Sequence, residues 1–209
     1  MRDLIIIGAG GLGKEISWLS KRCGRNIVGF LDDTLDKQGT IINSDKVLGN
    51  IADCVKYKNC DFIIAIGNPR ARKKIIETYF DDSYNFATLI DPSVIISEYV
   101  DIKPGVVICA GVILTIDIKV GRHTIINLNA TVGHDVTIGD YVTIAPNVAI
   151  SGEIEIGNLV ELGTNSTLKE KLTISNGAMI GMGAVVTRNV EMNNIVIGSP
   201  AKLLRIIND

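Results

Sequence analysis

The sequence is short of rings. Phe, Tyr and Trp together make up 5% of 209 residues, and there are two histidines. Isoleucine and valine supply most of the apolar mass instead, which favours extended structure with a narrow, regular core. Cysteine is scarce and unpatterned: Cys23, Cys54, Cys60 and Cys109 show neither a CxxC pair nor zinc-ligand spacing, so a reduced, cytoplasmic protein is expected. An excess of one charge is also missing. A net charge of −2 offers no basic surface for nucleic acid, and no basic amphipathic helix points to a membrane. The first apolar run, LIIIG, is too short to span a bilayer and lacks a signal-peptide layout.

What is present falls into two parts with different patterns. Up to about residue 88 the chain reads as α/β. DLIIIG is a continuous apolar run of strand length, as in a strand buried on both faces. AGGLG is a turn, and KEISWLSKRCG has helical spacing ended by Gly24. NIVGFLDD is a strand ending in two acids, DFIIAIG is another strand, and PRARKKIIETYF reads as a helix with Pro69 in its first turn. This order predicts a small Rossmann-like βαβαβ unit over residues 1–88.

From residue 89 onward the period changes. Stepping by six from Ile90 to Val186 gives seventeen positions, all aliphatic. The residues two before each step are small or aliphatic too, and the residue after it is often Gly, Ala, Ser or Asn. This is a hexapeptide repeat, the signature of a parallel β-helix over residues 89–209. Three units close a triangular coil, residues eighteen apart stack, and the aliphatic points inward. The small residue after it is expected to permit the tight corner. No coil buries its own inner face alone, so stability comes from stacking.

Two places carry candidate chemistry. Gly8, Gly10 and Gly13 fit GxGxxG, with Asp32 where a dinucleotide-binding acid would sit. Read alone this suggests NAD, but the α/β segment is about half the size of a full dinucleotide domain. A loop of small residues at a helix N-terminus is a more general anion and sugar cradle. The second place is His134, two residues beyond the inward Val132 and so at a coil corner. Asp135 adjoins it and is able to orient its imidazole as a general base requires. Gly152, eighteen residues on, stacks about 4.8 Å away, leaving room for the ring and offering a backbone N–H to an oxyanion. His123 has no neighbouring carboxylate and reads as a structural or surface residue. Two histidines are too few for a three-histidine zinc site. No sustained threonine ladder marks an ice-binding face. Asp61, Asp81, Asp82 and the basic run RARKK at 70–74 read as solvated ends of elements.

GAGGLGKE at the start, LDD at 31–33, IAIGN at 64–68, GHDVTIGD at 133–140 and GSPAK at 198–202 resemble the left-handed β-helix acyltransferases. The resemblance is to the bacterial nucleotide-amino-sugar N-acetyltransferases and the related sialic-acid O-acetyltransferases, over almost the whole chain. It implies a left-handed coil, an exception to the usual crossover rule, and a cytoplasmic homotrimer. It implies acetyl transfer from acetyl-CoA to the amino group of a nucleotide-linked amino sugar, without a metal; the alternative acceptor is a sialic-acid-like hydroxyl. Residue by residue it implies His134 as base and Asp135 as its orienting acid, beside the Gly152 oxyanion donor read from the stacking. Asn127, Thr143, Thr164 and Met182 would contact CoA between two subunits. Gly11, Leu12, Gly13, Asp32, Asp33 and Gly67 would line the sugar-nucleotide pocket. The chain departs from many relatives in having Leu12 and Thr143 where those have histidine, and Asp135 where they have glutamate.

Overall fold

The computed structural model describes residues 2–207, and the chain divides into two compact units between Leu89 and Ile90.

The first unit is a six-stranded sheet. In chain order its elements are β1 (Leu4–Ile7), α1 (Gly11–Arg22), β2 (Ile27–Leu31), β3 (Ile41–Ile42), β4 (Asp45–Gly49), β5 (Asp61–Ile64), α2 (Pro69–Tyr79) and β6 (Asn85–Phe86). The strands lie in the order β3-β4-β2-β1-β5-β6, parallel except for the β3–β4 hairpin. That hairpin was not legible in the sequence. Successive side chains of a strand point to opposite faces. Ile5 and Ile7 enter a cluster with Leu31, Phe62, Ile64 and, from α2, Ile75, Ile76 and Tyr79. Leu4 and Ile6 face the other way and are equally buried, and α1 packs against β1 and β2. Covering on both faces is why β1 is apolar throughout rather than alternating. Phe62, Phe80 and Tyr84 meet edge to face with centroids 5.0–5.5 Å apart.

The second unit is a parallel β-helix with three faces. The first face stacks Val107–Ile108, Ile125–Ile126, Thr143–Ile144, Glu161–Leu162 and Met179–Ile180, and ends in the hairpin Asn194–Ile197 and Lys202–Ile206. The second face runs from Ile95–Ile96 through Thr131–Val132 to Val185–Val186, and the third from Val100–Ile102 through Thr137–Ile138 to Thr173–Ile174. Pairings between coils join residues eighteen apart, such as Ile126 with Ile144 and Val132 with Ile150, up to the last coil, where Ile180 meets Val196 and Ile174 meets Val190, sixteen apart. The stepped aliphatics and the residues two before them form one continuous core, from Val106 to Val196.

The corners refine the sequence reading. The left-handed turn falls on the third residue after the inward aliphatic, not on the small residue that follows it. Asn129, Asp135, Tyr141, Asn147, Glu153 and Leu159 all have φ between 58° and 62°. Each donates its N–H to a carbonyl nineteen residues earlier, as Tyr141 does to Arg122 at 2.8 Å, so coil-to-coil bonding holds a conformation that L-residues disfavour. The small residue answers a different demand. A Cβ on Gly121 would lie 2.4 Å from the backbone of Gly139, and one on Gly163 2.7 Å from Met182 N, so the next coil's backbone leaves no room. Along the corner between the third and first faces, Asp140, Asn158 and Asn176 each accept, through Oδ1, an N–H from the coil before, at 2.7–2.8 Å. Among the described residues no helix is long and apolar enough to cross a membrane.

Candidate active site

His134 closes the second face at the corner that leads to the third. Coil packing fixes the peptides around it: Asp135 N–H donates to Ile116 O at 3.1 Å, and His134 O accepts from Glu153 N–H at 2.8 Å. The left-handed backbone at Asp135 (φ 58°) turns its carboxylate back onto its neighbour, and Nδ1 of His134 lies 2.7 Å from Asp135 Oδ2. Both side chains are 57% exposed, so the pair is open to a ligand. The carboxylate is an acceptor, which assigns the ring proton to Nδ1 and leaves the Nε2 lone pair outward. Nε2 lies over Gly152: a methyl there would come within 2.5 Å of Nε2 and 2.6 Å of Cε1. Any other residue at 152 would displace the ring. Among the described residues nothing accepts from the Gly152 N–H, although its carbonyl is taken by Lys171 N–H at 3.1 Å. A basic nitrogen, an orienting carboxylate and an uncommitted amide donor thus share one corner.

The other residues assigned to the β-helix lie elsewhere. Asn127, Thr164 and Met182 occupy the corner between the first and second faces, one face away from His134. Asn127 spends its amide on Ile144 O at 2.8 Å, whereas Met182 is 78% exposed. Thr143 sits on the first face and is buried, at 8% exposure. A single chain does not gather these four beside His134. His123 is buried, stacked on Tyr141 with centroids 5.4 Å apart, and lies over Gly105 as His134 lies over Gly152.

In the first unit, three loops meet at the carboxyl edge of the sheet. Gly8 (φ 98°) approaches Ala65 O and the Ile66 side chain so closely that a Cβ would fall 2.8–3.0 Å from them. Gly13 packs α1 onto the first loop, where a Cβ would lie 2.2 Å from Gly8 O. Gly10 and Gly11 face open space, and Gly67 has Leu12 as its nearest non-adjacent neighbour, 3.8 Å from where a Cβ would be. The N-terminus of α1 carries no side-chain cap and no acid in its first turn, so its amides at Gly11, Leu12 and Gly13 favour an anion.

The two acids divide the work. Asp32 is 9% exposed, and its carboxylate accepts from Ala9 N–H at 2.7 Å, Thr34 N–H at 2.9 Å and Lys37 Nζ at 3.1 Å. Burial alone would raise its carboxyl, but hydrogen bonds from the Thr34 side chain, the Ala9 and Thr34 amides and Lys37 outweigh this and lower it to about 2. Asp32 therefore ties the loop after β1 to the loop after β2. Asp33 is exposed, with Oδ1 accepting from Ile51 N–H at 2.8 Å.

Residues 3–79 match the family model of the PglD N-terminal domain, and residues 117–152 that of the bacterial transferase hexapeptide (six repeats). The acetyltransferase domain of PglB from Neisseria gonorrhoeae FA1090 is 31% identical, with a TM-score of 0.91 over 98% of this chain and 100% of that one. WeeI from Acinetobacter baumannii AYE is also 31% identical, with a TM-score of 0.87 and the same coverage, 98% and 100%. A histidine-to-asparagine variant of perosamine N-acetyltransferase from Caulobacter crescentus, solved with CoA and GDP-perosamine, is 27% identical, with a TM-score of 0.90 over 96% of each chain. The chain belongs to the hexapeptide-repeat acetyltransferases.

In this acetyltransferase two sequence expectations need correction. The run RARKK is not wholly solvated: Arg72 is 1% exposed and donates through Nη1 to Ile66 O at 2.5 Å and Gly67 O at 3.0 Å. The signal was available, because Arg72 precedes Ile75 and Ile76 by three and four residues and so shares the buried face of α2. Asp61 is not simply solvated either. It pairs with Arg25 at 2.6 Å, and the two side chains are 18% and 8% exposed. Lys37, the partner of Asp32, gave no sequence signal, since a short 3₁₀ turn at Leu35–Lys37 brings it back. Among the described residues no three His, Cys, Asp or Glu side chains cluster to hold a metal ion.

Proposed function

We propose that the α/β unit holds a nucleotide-linked amino sugar and that the His134 corner transfers acetyl to its amino group from acetyl-CoA. His134 Nε2 removes a proton as the amine attacks the thioester carbonyl. Asp135 holds the tautomer and balances the imidazolium that forms. The Gly152 N–H donates to the oxyanion of the tetrahedral intermediate. Collapse of that intermediate expels the thiolate, which takes up a proton to leave as free CoA. The observation that carries this reading is the shared corner: an exposed, oriented imidazole over a glycine whose N–H is uncommitted. The acceptor class is supported by the amino-sugar enzyme of Caulobacter, and the donor by the CoA bound there.

The homotrimer is part of the same proposal. Asn127, Thr164 and Met182 stand one face away from His134, so a second copy supplying that corner would complete the donor site. An acetyl-CoA donor supports a cytoplasmic location.

Release of free thiol, measured with UDP-, dTDP- and GDP-linked amino sugars and their hydroxyl counterparts, tests the reaction. Turnover with an amino sugar and not with its hydroxyl counterpart is expected. Thermal stabilisation by acetyl-CoA but not by NAD separates this reading from a redox one. Stabilisation by NAD alone, with no thiol release from any sugar, would overturn it.

A further inference from the structure

We propose that Lys37 is a specificity-determining residue of the α/β unit: it donates to the ribose 2′-hydroxyl of the nucleotide and so selects a ribonucleotide over its 2′-deoxy counterpart. This rests on the reading of the α/β unit as the holder of a nucleotide-linked sugar.

Topology gives the place. Without the edge strand β3 the sheet runs β4-β2-β1-β5-β6, all parallel, which is the strand order of a nucleotide-binding Rossmann sheet. In that arrangement phosphates meet the loop after β1, and an acid at the end of β2 takes the ribose 2′-hydroxyl. Asp32 holds the position of that acid, but its carboxylate is already full. Oδ2 accepts from Ala9 N–H at 2.7 Å and from Lys37 Nζ at 3.1 Å. Oδ1 accepts from Thr34 N–H at 2.9 Å, and the Thr34 hydroxyl is a fourth donor. A carboxylate offers about four acceptor sites, so none is left for a ribose.

What stands there instead is an ammonium. Lys37 Nζ has three donors and, among the described residues, Asp32 as its only partner, which leaves two. Its side chain is 33% exposed, so a ligand can reach it. The loop does not need this ion pair. Lys37 N–H donates to Thr34 O at 3.1 Å, and Lys37 O accepts from Thr40 N–H at 3.0 Å and Thr40 Oγ1 at 2.7 Å, which fixes the turn through its backbone. A partly exposed pair also adds little stability.

Charge decides which part of the nucleotide fits. Asp32, Asp33 and Asp36 outnumber Lys37 on this loop, which disfavours a phosphate. The first turn of α1 has no acid, and the phosphates are better placed there. A ribose hydroxyl is neutral, and its oxygen accepts a charge-assisted bond from the ammonium. A deoxyribose has no oxygen at that carbon to accept it.

Calorimetry on the full chain with UDP, GDP and their 2′-deoxy counterparts tests this. The proteins are the wild type, Lys37→Met and Lys37→Ala, with Lys74→Ala, an exposed residue of α2, as control. In the wild type the preferred nucleotide should bind about tenfold or more tighter than its deoxy counterpart, the size of one bond to a charged group. That ratio should collapse toward one in both Lys37 variants and persist in Lys74→Ala, while the KM for acetyl-CoA stays near wild type. A purely structural role would weaken both nucleotides alike and leave the ratio intact. Equal affinity for the two in the wild type, or a ratio that survives in the folded variants, would overturn the proposal. If neither variant folds, Lys37 is a folding residue and the proposal fails. If the wild type binds none of the nucleotides, the function of the α/β unit fails, and this proposal with it.

Discussion

The two units of this acetyltransferase reach a functional site by opposite routes. The α/β unit is aperiodic: all four phenylalanines lie in it, and the carboxyl edge of its sheet is assembled from three unlike loops joined by Asp32, Gly8 and Arg72. The β-helix is periodic, with one solution for strand and corner used many times, and its candidate site is a local substitution within that pattern. Other corners carry residues as varied as Asn129, Leu159 and Met182, and one carries His134 and Asp135 above Gly152. An irregular scaffold needs buried polar ties to hold its loops. A repeating scaffold has already fixed its corners through the coil ladder, so chemistry can be installed there without disturbing the core.

That contrast can be broken at both ends. The largest effect is expected from removing the α/β unit. Residues 90–209 should remain folded, because their core is continuous without it, but should lose sugar acetylation altogether; sedimentation and thiol release would show this. An unfolded fragment would mean that the repeat is not self-sufficient. Next comes His134→Ala, which should lower kcat by about a hundredfold or more while thermal stability stays near wild type, since the exposed ring leaves no cavity. Retention of most of the turnover would make the pair structural.

Gly152→Ala sharpens the comparison further, because it adds one methyl and removes no reactive group. The clash with Nε2 and Cε1 should displace the imidazole and cost about tenfold to a hundredfold in kcat. A crystal structure of the variant with an undisturbed ring would count against it.

Asp32→Asn should act mainly on the α/β unit. With its carboxyl lowered to about 2 from 3.8, Asp32 contributes on the order of 2 kcal/mol to stability. The sign follows from the depressed value. The contribution is complete above about pH 4, where the unfolded carboxyl is also ionised, and is lost as pH falls toward about 2. Urea denaturation from pH 7 downward should therefore show the gap between wild type and variant closing below about pH 4. Any rise in KM should be confined to the sugar nucleotide. The smallest effect on turnover is expected for His123→Ala, whose ring is buried against Tyr141. It should lower the melting temperature and leave kcat nearly unchanged.

Legibility differed in the same way. The hexapeptide period exposed the β-helix, its inward residues and its eighteen-residue stacking because one constraint recurs in every coil. The juxtaposition of His134 and Gly152 follows from that arithmetic alone. The α/β unit showed β1, β2, β5 and both helices through apolar runs and punctuation, but not the β3–β4 hairpin, whose short strands carry no periodic signal. Arg72 was readable only from its spacing to Ile75 and Ile76, and the closure of Lys37 onto Asp32 was not readable.

By itself, then, the sequence determined the two-part architecture, the β-helical register and the placing of a histidine, a carboxylate and a glycine on one corner. Each of these depends on local period, and local period is written in the chain. Tertiary structure alone decided that the carboxylate of Asp135 folds back to 2.7 Å from Nδ1. The reason is that coil-to-coil hydrogen bonds impose a left-handed backbone there. It alone decided that Asp32 serves as an internal tie and that Arg72 turns inward. Whether a charged side chain meets solvent or a buried carbonyl depends on contacts between segments distant in sequence, which no local pattern encodes.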